Sequence, residues 1–151
     1  CLLKWFAPIL SFTTEEIFKL TDNKDDKNSI HLKKFPEIPE KWKNDELNKK
    51  WEKIKKIRDE ANISIESQRG DKIIGSSLEA EIKIRLKSEY FNIAKDEDFS
   101  EICITSSAAI IKDDKIESNI EVVAEKAQGS KCPVCWKISK IGCKRHDHLK
   151  L

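Results

Sequence analysis

Cys132-Pro133-Val134-Cys135-Trp136 and Cys143-Lys144-Arg145-His146 bring four soft-metal ligands into fifteen positions at the end of the chain. A C-x-x-C turn sets both sulfurs on one side of a tight loop, where they can share a tetrahedral ion. A second pair completes the shell and leaves no position open for a substrate or an activated water. The pattern therefore predicts one structural zinc ion held by Cys132, Cys135, Cys143 and His146. His148 competes for the fourth place. Seven residues separate Cys135 from Cys143, fewer than the roughly 15–20 of many zinc ribbons, so the knuckle must be compact.

The rest of the chain could supply one sizeable core or two small ones: 151 residues, 38% hydrophobic and 37% charged. Trp5–Phe12, the longest apolar run, contains Pro8 and is too short to span a bilayer. No signal peptide is visible, and five cysteines, mostly in the metal pattern, fit a reducing compartment, so cytoplasm is expected. There is no Met. Leu2 to Phe6 reads like the tail of a helix, which suggests the C-terminal piece of a longer protein.

Charge is strongly partitioned. Lys41–Arg58 carries eight basic against three acidic residues, and Lys131–Lys150 six against one. Between them, Lys95–Glu125 has nine acidic and three basic residues. Two basic surfaces that could meet a polyanion, with the acidic middle turned elsewhere, are the expectation. Solvated lysine-rich faces are the plainer alternative.

Thr13 and Glu16 form a possible capping box ahead of Ile17, Phe18 and Leu20. Thr21–Ser29 reads as a loop, and Ile30–Phe35, punctuated by Pro36 and Pro39, as an extended segment. Leu47, Trp51, Ile54, Ile57, Ala61 and Ile65 make one stripe of a helix from about Asn44 to Arg69, which Gly70 ends. Lys49, Lys50, Lys53 and Lys56 fall largely off that stripe. Glu81–Leu86 alternates as a half-buried strand does, a short helix fits Ser88–Ala94, and strands fit Phe99–Thr105 and Asn119–Ala124. The change of period near Gly70–Gly75 divides the chain into a helical part (1–70), a small mixed part (71–127), and the knuckle with its basic tail (128–151).

No catalytic site assembles. Cys103 lies in an apolar pattern and reads as a small core residue, Cys1 and His31 lack partners, and four glycines build no phosphate loop. Trp136 either packs on the knuckle or offers a stacking platform to an unpaired base, flanked by Lys131, Lys137, Lys144 and Arg145. With Lys49, Lys53 and Lys56, these are the RNA-binding candidates.

Several segments resemble one family. Ala7–Phe18 is similar to a helix in the anticodon-binding domain of class I synthetases for branched aliphatic amino acids, and Ser29–Pro36 to the segment that follows it. Ile73-Ile74-Gly75-Ser76-Ser77-Leu78-Glu79-Ala80 and Cys132–Trp136 resemble, in that order, two C-terminal motifs of bacterial isoleucyl-tRNA synthetases. The resemblance implies an α+β chain: a segment of a helical anticodon-binding bundle, then a small α/β domain ending in a zinc knuckle. It implies a tRNA(Ile) ligand, a monomeric enzyme, and ATP with magnesium used only in a catalytic core that lies, like the editing domain, outside these residues. Neither the His-Ile-Gly-His nor the Lys-Met-Ser-Lys-Ser motif occurs here. His146 stands where that family usually has cysteine, and the loop between ligand pairs is shortened.

Two other readings compete. A stand-alone nucleic-acid-binding zinc module would resemble the knuckle of formamidopyrimidine-DNA glycosylases, but has no reason to contain the Ile73–Ala80 stretch. A purely structural knuckle would hold the chain end in place without touching RNA.

Overall fold

The computed structural model describes residues 1–21, 28–143, 145 and 146. It divides into two compact units, Cys1–Asn44 and Asp45–Leu151. The periodicity change near residue 70 does not coincide with this division, because the apolar stripe of the long helix is buried in the second unit.

In the first unit, α1 (Leu2–Phe6) and α2 (Ser11–Thr21) are followed by 3-10 turns at Ile30–Leu32 and Glu40–Trp42. Ala7, Phe18 and Ile30 form its small core, with Leu3 packed against it. The capping box expected at Thr13 does not form, since α2 already starts at Ser11. Within that helix the Thr14 hydroxyl bonds back to the Leu10 carbonyl at 2.8 Å. Glu15 is the carboxylate that matters: it accepts from the Ser29 hydroxyl at 2.8 Å and the Ile30 N–H at 2.9 Å. These bonds fold Ile30–Leu32 into a turn within the segment expected to be extended. Of the expected apolar face, Phe18 is buried while Ile17 and Leu20 stay exposed. Most of the loop expected over Thr21–Ser29 lies outside the described residues.

The second unit opens with α3 (Asp45–Gly70). Its stripe buries Ile54, Ile57, Ala61 and Ile65, all at 2% exposure or less, whereas Leu47 and Trp51 remain open at its first turns. A three-stranded sheet packs against it: β1 (Ala80–Leu86), β2 (Ser107–Lys112) and β3 (Ile120–Lys126), in the order β2-β1-β3. Alternation places Ala80, Ile82, Ile84 and Leu86 inside, while Glu81, Lys83 and Arg85 take the opposite face. β1 runs parallel to β2, with Ile84 opposite Ile110, and antiparallel to β3, with Ile84 opposite Val122. A parallel pair needs a crossover. Here α4 (Ser88–Ala94) and α5 (Phe99–Ile102) supply it.

The outer edge of β3 is met by α3, where the Ser64 hydroxyl accepts the Ala124 N–H at 2.9 Å. Lys83–Glu125 and Arg85–Glu121 pair across β1 and β3 on the open face. The strand expected over Phe99–Thr105 is instead α5 and the turn after it. Asp98 accepts the N–H groups of Ser100 and Glu101, which starts a helix. Ile104 then takes a left-handed φ of 55°, which ends any extended run. Cys103 is buried, as expected of a small core residue, and burial pushes its thiol up to about 11.

Candidate metal centre and nucleic-acid surface

A second sheet, β4 (Ser130–Lys131) paired antiparallel with β5 (Ile138–Ser139), carries the first ligand pair at its tip. The tip closes with Cys132 N–H bonded to the Lys137 carbonyl and Trp136 N–H to the Cys132 carbonyl, each at 2.9 Å. Trp136 takes a left-handed φ of 65°, which reverses the chain after the second cysteine. Gly129, at φ 126°, lies so close to β5 that an added Cβ would meet the Ser139 carbonyl at 2.3 Å. Only glycine fits there.

Cys132, Cys135, Cys143 and His146 converge, their ligand atoms all within 4.8 Å of one another. Cys135 Sγ is 3.6 Å from Cys143 Sγ, and His146 Nδ1 is 3.5 Å from Cys132 Sγ and 3.3 Å from Cys143 Sγ. A zinc tetrahedron with bonds near 2.3 Å to sulfur and 2.0–2.1 Å to nitrogen has edges of about 3.5–3.8 Å. The 3.5 and 3.6 Å separations fall on those edges, and the 3.3 Å one lies slightly inside them. The geometry does not match a disulfide, whose sulfurs stand about 2.0 Å apart.

The cysteines differ in their surroundings. Backbone N–H groups of Cys135 and Val134, with His146, hold the Cys132 thiol down to about 6, while burial and the neighbouring thiols push Cys143 up. Three thiolates this close repel one another unless a positive ion sits among them. This donor set can hold a divalent metal. His148, the competing ligand, lies outside the described residues, as does Lys144.

Trp136 does not fill the knuckle. The residue is 59% exposed, with Lys131 Nζ 5.8 Å from the ring centroid. Lys131 also lies 3.6 Å from Glu79, in the Ile73–Ala80 stretch. Lys137 donates to Glu101 at 2.8 Å, and Arg145 lies 3.5 Å from the same carboxylate oxygen. Lys137, first, and Arg145 hold the Glu101 carboxyl below its ordinary range.

On α3 the candidates separate. Lys53 pairs with Glu89 of α4 and lies over the Tyr90 ring, and Lys50 pairs with Glu97. Lys49 and Lys56 make no ion pair among the described residues. The acidic middle segment is therefore not wholly turned elsewhere: Glu97 meets the first basic segment and Glu101 the second, while Glu121 and Glu125 pair within the sheet. Sequence reasoning missed Glu101, Glu79 and Ser106, which join the knuckle to the sheet. Asp98 followed three residues later by Glu101 was the one visible signal, a capping-box spacing.

Residues 1–84 match the family described as the anticodon-binding domain of tRNA ligase. An isoleucine–tRNA ligase of Pelagibacter ubique is 58% identical over 97% of this chain. Isoleucine–tRNA ligases of Agrobacterium fabrum and Methylacidiphilum infernorum are 41% and 42% identical, each over 92% of it. The chain spans 14–16% of the length of these relatives.

Proposed function

Because the chain belongs to the family of anticodon-binding domains of tRNA ligases, we propose that it is the C-terminal tRNA-binding part of an isoleucine–tRNA ligase. That class I enzyme attaches isoleucine to tRNA(Ile) with ATP. The observation that carries the reading is the coincidence of the 58% identical relative with a Cys3His cluster beside an exposed, cation-flanked Trp136. One zinc ion, held by Cys132, Cys135, Cys143 and His146, supplies a fixed cross-link and no chemistry of its own. ATP and magnesium act in a catalytic core outside these residues. The enzyme works as a monomer in the cytoplasm; among the described residues no helix is long and apolar enough to cross a membrane.

In this account Lys131, Lys137 and Arg145 meet phosphates near the anticodon stem and loop, and Trp136 stacks on an unpaired base. Lys49 and Lys56 extend the basic surface along α3. Lys53, engaged by Glu89, contributes less. The divisions 1–70, 71–127 and 128–151 then mark a bundle segment, a small α/β part that carries the knuckle, and the knuckle itself. A stand-alone zinc module is not favoured, because the similarity runs through both compact units.

The test is binding of the chain to a tRNA(Ile) transcript and to an unrelated tRNA across a salt series. The expected result is tighter binding to tRNA(Ile), with both affinities falling steeply as salt rises. Equal binding at low and high salt contradicts the reading.

A further inference from the structure

Glu101 occupies the third position of α5, behind the Asp98 cap. In a capping box such a carboxylate returns to the backbone N–H of the cap residue. Here it faces outward to the knuckle instead. It accepts a 2.8 Å bond from Lys137, two residues past Cys135, and lies 3.5 Å from Arg145, next to His146. One carboxylate thus sits between cations from both halves of the metal cluster. Ser100 Oγ, 3.5 Å from Lys137 Nζ, adds a weaker contact.

A phosphate is recognised by this same arrangement, two cations converging on one oxyanion. We propose that Glu101 masks this cation pair, its carboxylate standing in for a phosphate, so that a polyanion engages Lys137 and Arg145 only by displacing it. The proposal rests on the RNA-binding reading of the knuckle. The pair is partly exposed, with side-chain exposures of 23% for Lys137 and 52% for Glu101. Its exchange is therefore reversible and its free energy small. An RNA that also offers a base to Trp136 has further contacts to offset the displacement. An RNA or other polyanion that offers phosphates alone meets the same cost without those contacts, and so binds weakly. Glu101 belongs to the acidic middle segment, which gives that run of charge a role at the basic surface.

The experiment uses the whole, zinc-loaded chain, read by salt elution from immobilised heparin and by binding to tRNA(Ile) and an unrelated tRNA. Glu101→Gln should elute at higher salt and bind the unrelated tRNA about three- to fivefold more tightly, the scale of an exposed ion pair. Its dependence of log K on log salt should steepen by about 0.7–0.9, one further phosphate contact. The gain for tRNA(Ile) should be at least as large, because it is relieved of the same displacement. Adding Lys137→Gln should abolish most of the gain, and Glu117→Gln, which makes the same change in net charge at an exposed carboxylate between β2 and β3, should give no comparable gain. Unchanged or weaker heparin retention by Glu101→Gln overturns the proposal. So does loss of zinc from that variant, which would make Glu101 an anchor of the knuckle. A shift on heparin without binding of either tRNA would instead overturn the RNA reading and leave the masking by Glu101 standing.

Discussion

Ser106 Oγ accepts the Ile138 N–H at 2.6 Å and donates to the Leu78 carbonyl at 2.5 Å, tying the metal knuckle to the start of β1 through one hydroxyl. The knuckle is thus held by the sheet as well as by its own ligands. Ser106→Ala leaves a partly buried N–H and a carbonyl without this partner, which costs about 1–3 kcal/mol. Denaturant unfolding should show the loss, and Ile138 should lose more hydrogen-exchange protection than the centre of β1. Equal loosening of β1 and β5 would show that the hydroxyl does not act at this junction.

Cys143→Ser should remove stoichiometric zinc while leaving the sheet folded. The core around Ile57, Ile82, Ile84 and Phe99 contains no metal ligand. Native mass spectrometry and far-ultraviolet circular dichroism together read the two effects. In the parent chain, X-ray absorption should report three sulfurs near 2.3 Å and one nitrogen near 2.0 Å around the zinc.

Gly129→Ala tests the hairpin without touching a ligand. The new Cβ would meet the Ser139 backbone at 2.3 Å, at a φ that side chains rarely adopt. β4 and β5 must separate, and zinc affinity should fall by at least about tenfold, the effect of disturbing the support of a metal site. Chelator competition measures it. Unaltered affinity would mean that the ligands assemble without the hairpin.

Glu15 predicts how the first unit responds to acid. Bonds from the Ser29 hydroxyl, first, and the Ile30 N–H lower its carboxyl below the ordinary 4.5. A depressed carboxyl stabilises the fold fully above 4.5, and that contribution disappears as pH falls through its lowered value. The amides around Ile30 should therefore lose protection below about pH 4.5. Glu15→Gln should weaken the turn at neutral pH and remove that part of the acid response.

Much of this architecture was legible in local pattern. Ile54, Ile57, Ala61 and Ile65 show a helical period, Ile82, Ile84 and Leu86 alternate, and the ligand spacings predict the cluster that forms. What stayed hidden depends on contacts between distant residues. Lys53 reads as a free cation until Glu89, 36 positions away, is folded against it. Phe99-Ser100-Glu101-Ile102-Cys103-Ile104 looks like a strand to a reading of apolar content. The Asp98 side chain decides otherwise, by satisfying the first N–H groups of a helical turn. β2 was missed because Ala108 and Ala109 interrupt its alternation, and its place in the sheet comes from pairing with β1. Leu47 and Trp51 extend the sequence stripe beyond the surface that the rest of α3 buries.

The central claim is that a metal-closed knuckle presents Trp136 and its neighbouring cations to tRNA. The most direct measurement is the affinity for tRNA(Ile) of the zinc-loaded chain and of the same chain stripped of zinc, at one salt concentration and with the sheet shown to be intact. The account predicts a loss of at least about tenfold on stripping, equivalent to about 1.4 kcal/mol of binding, restored by added zinc. Equal affinity in the two states would contradict it and leave the knuckle as a fastening for the chain alone.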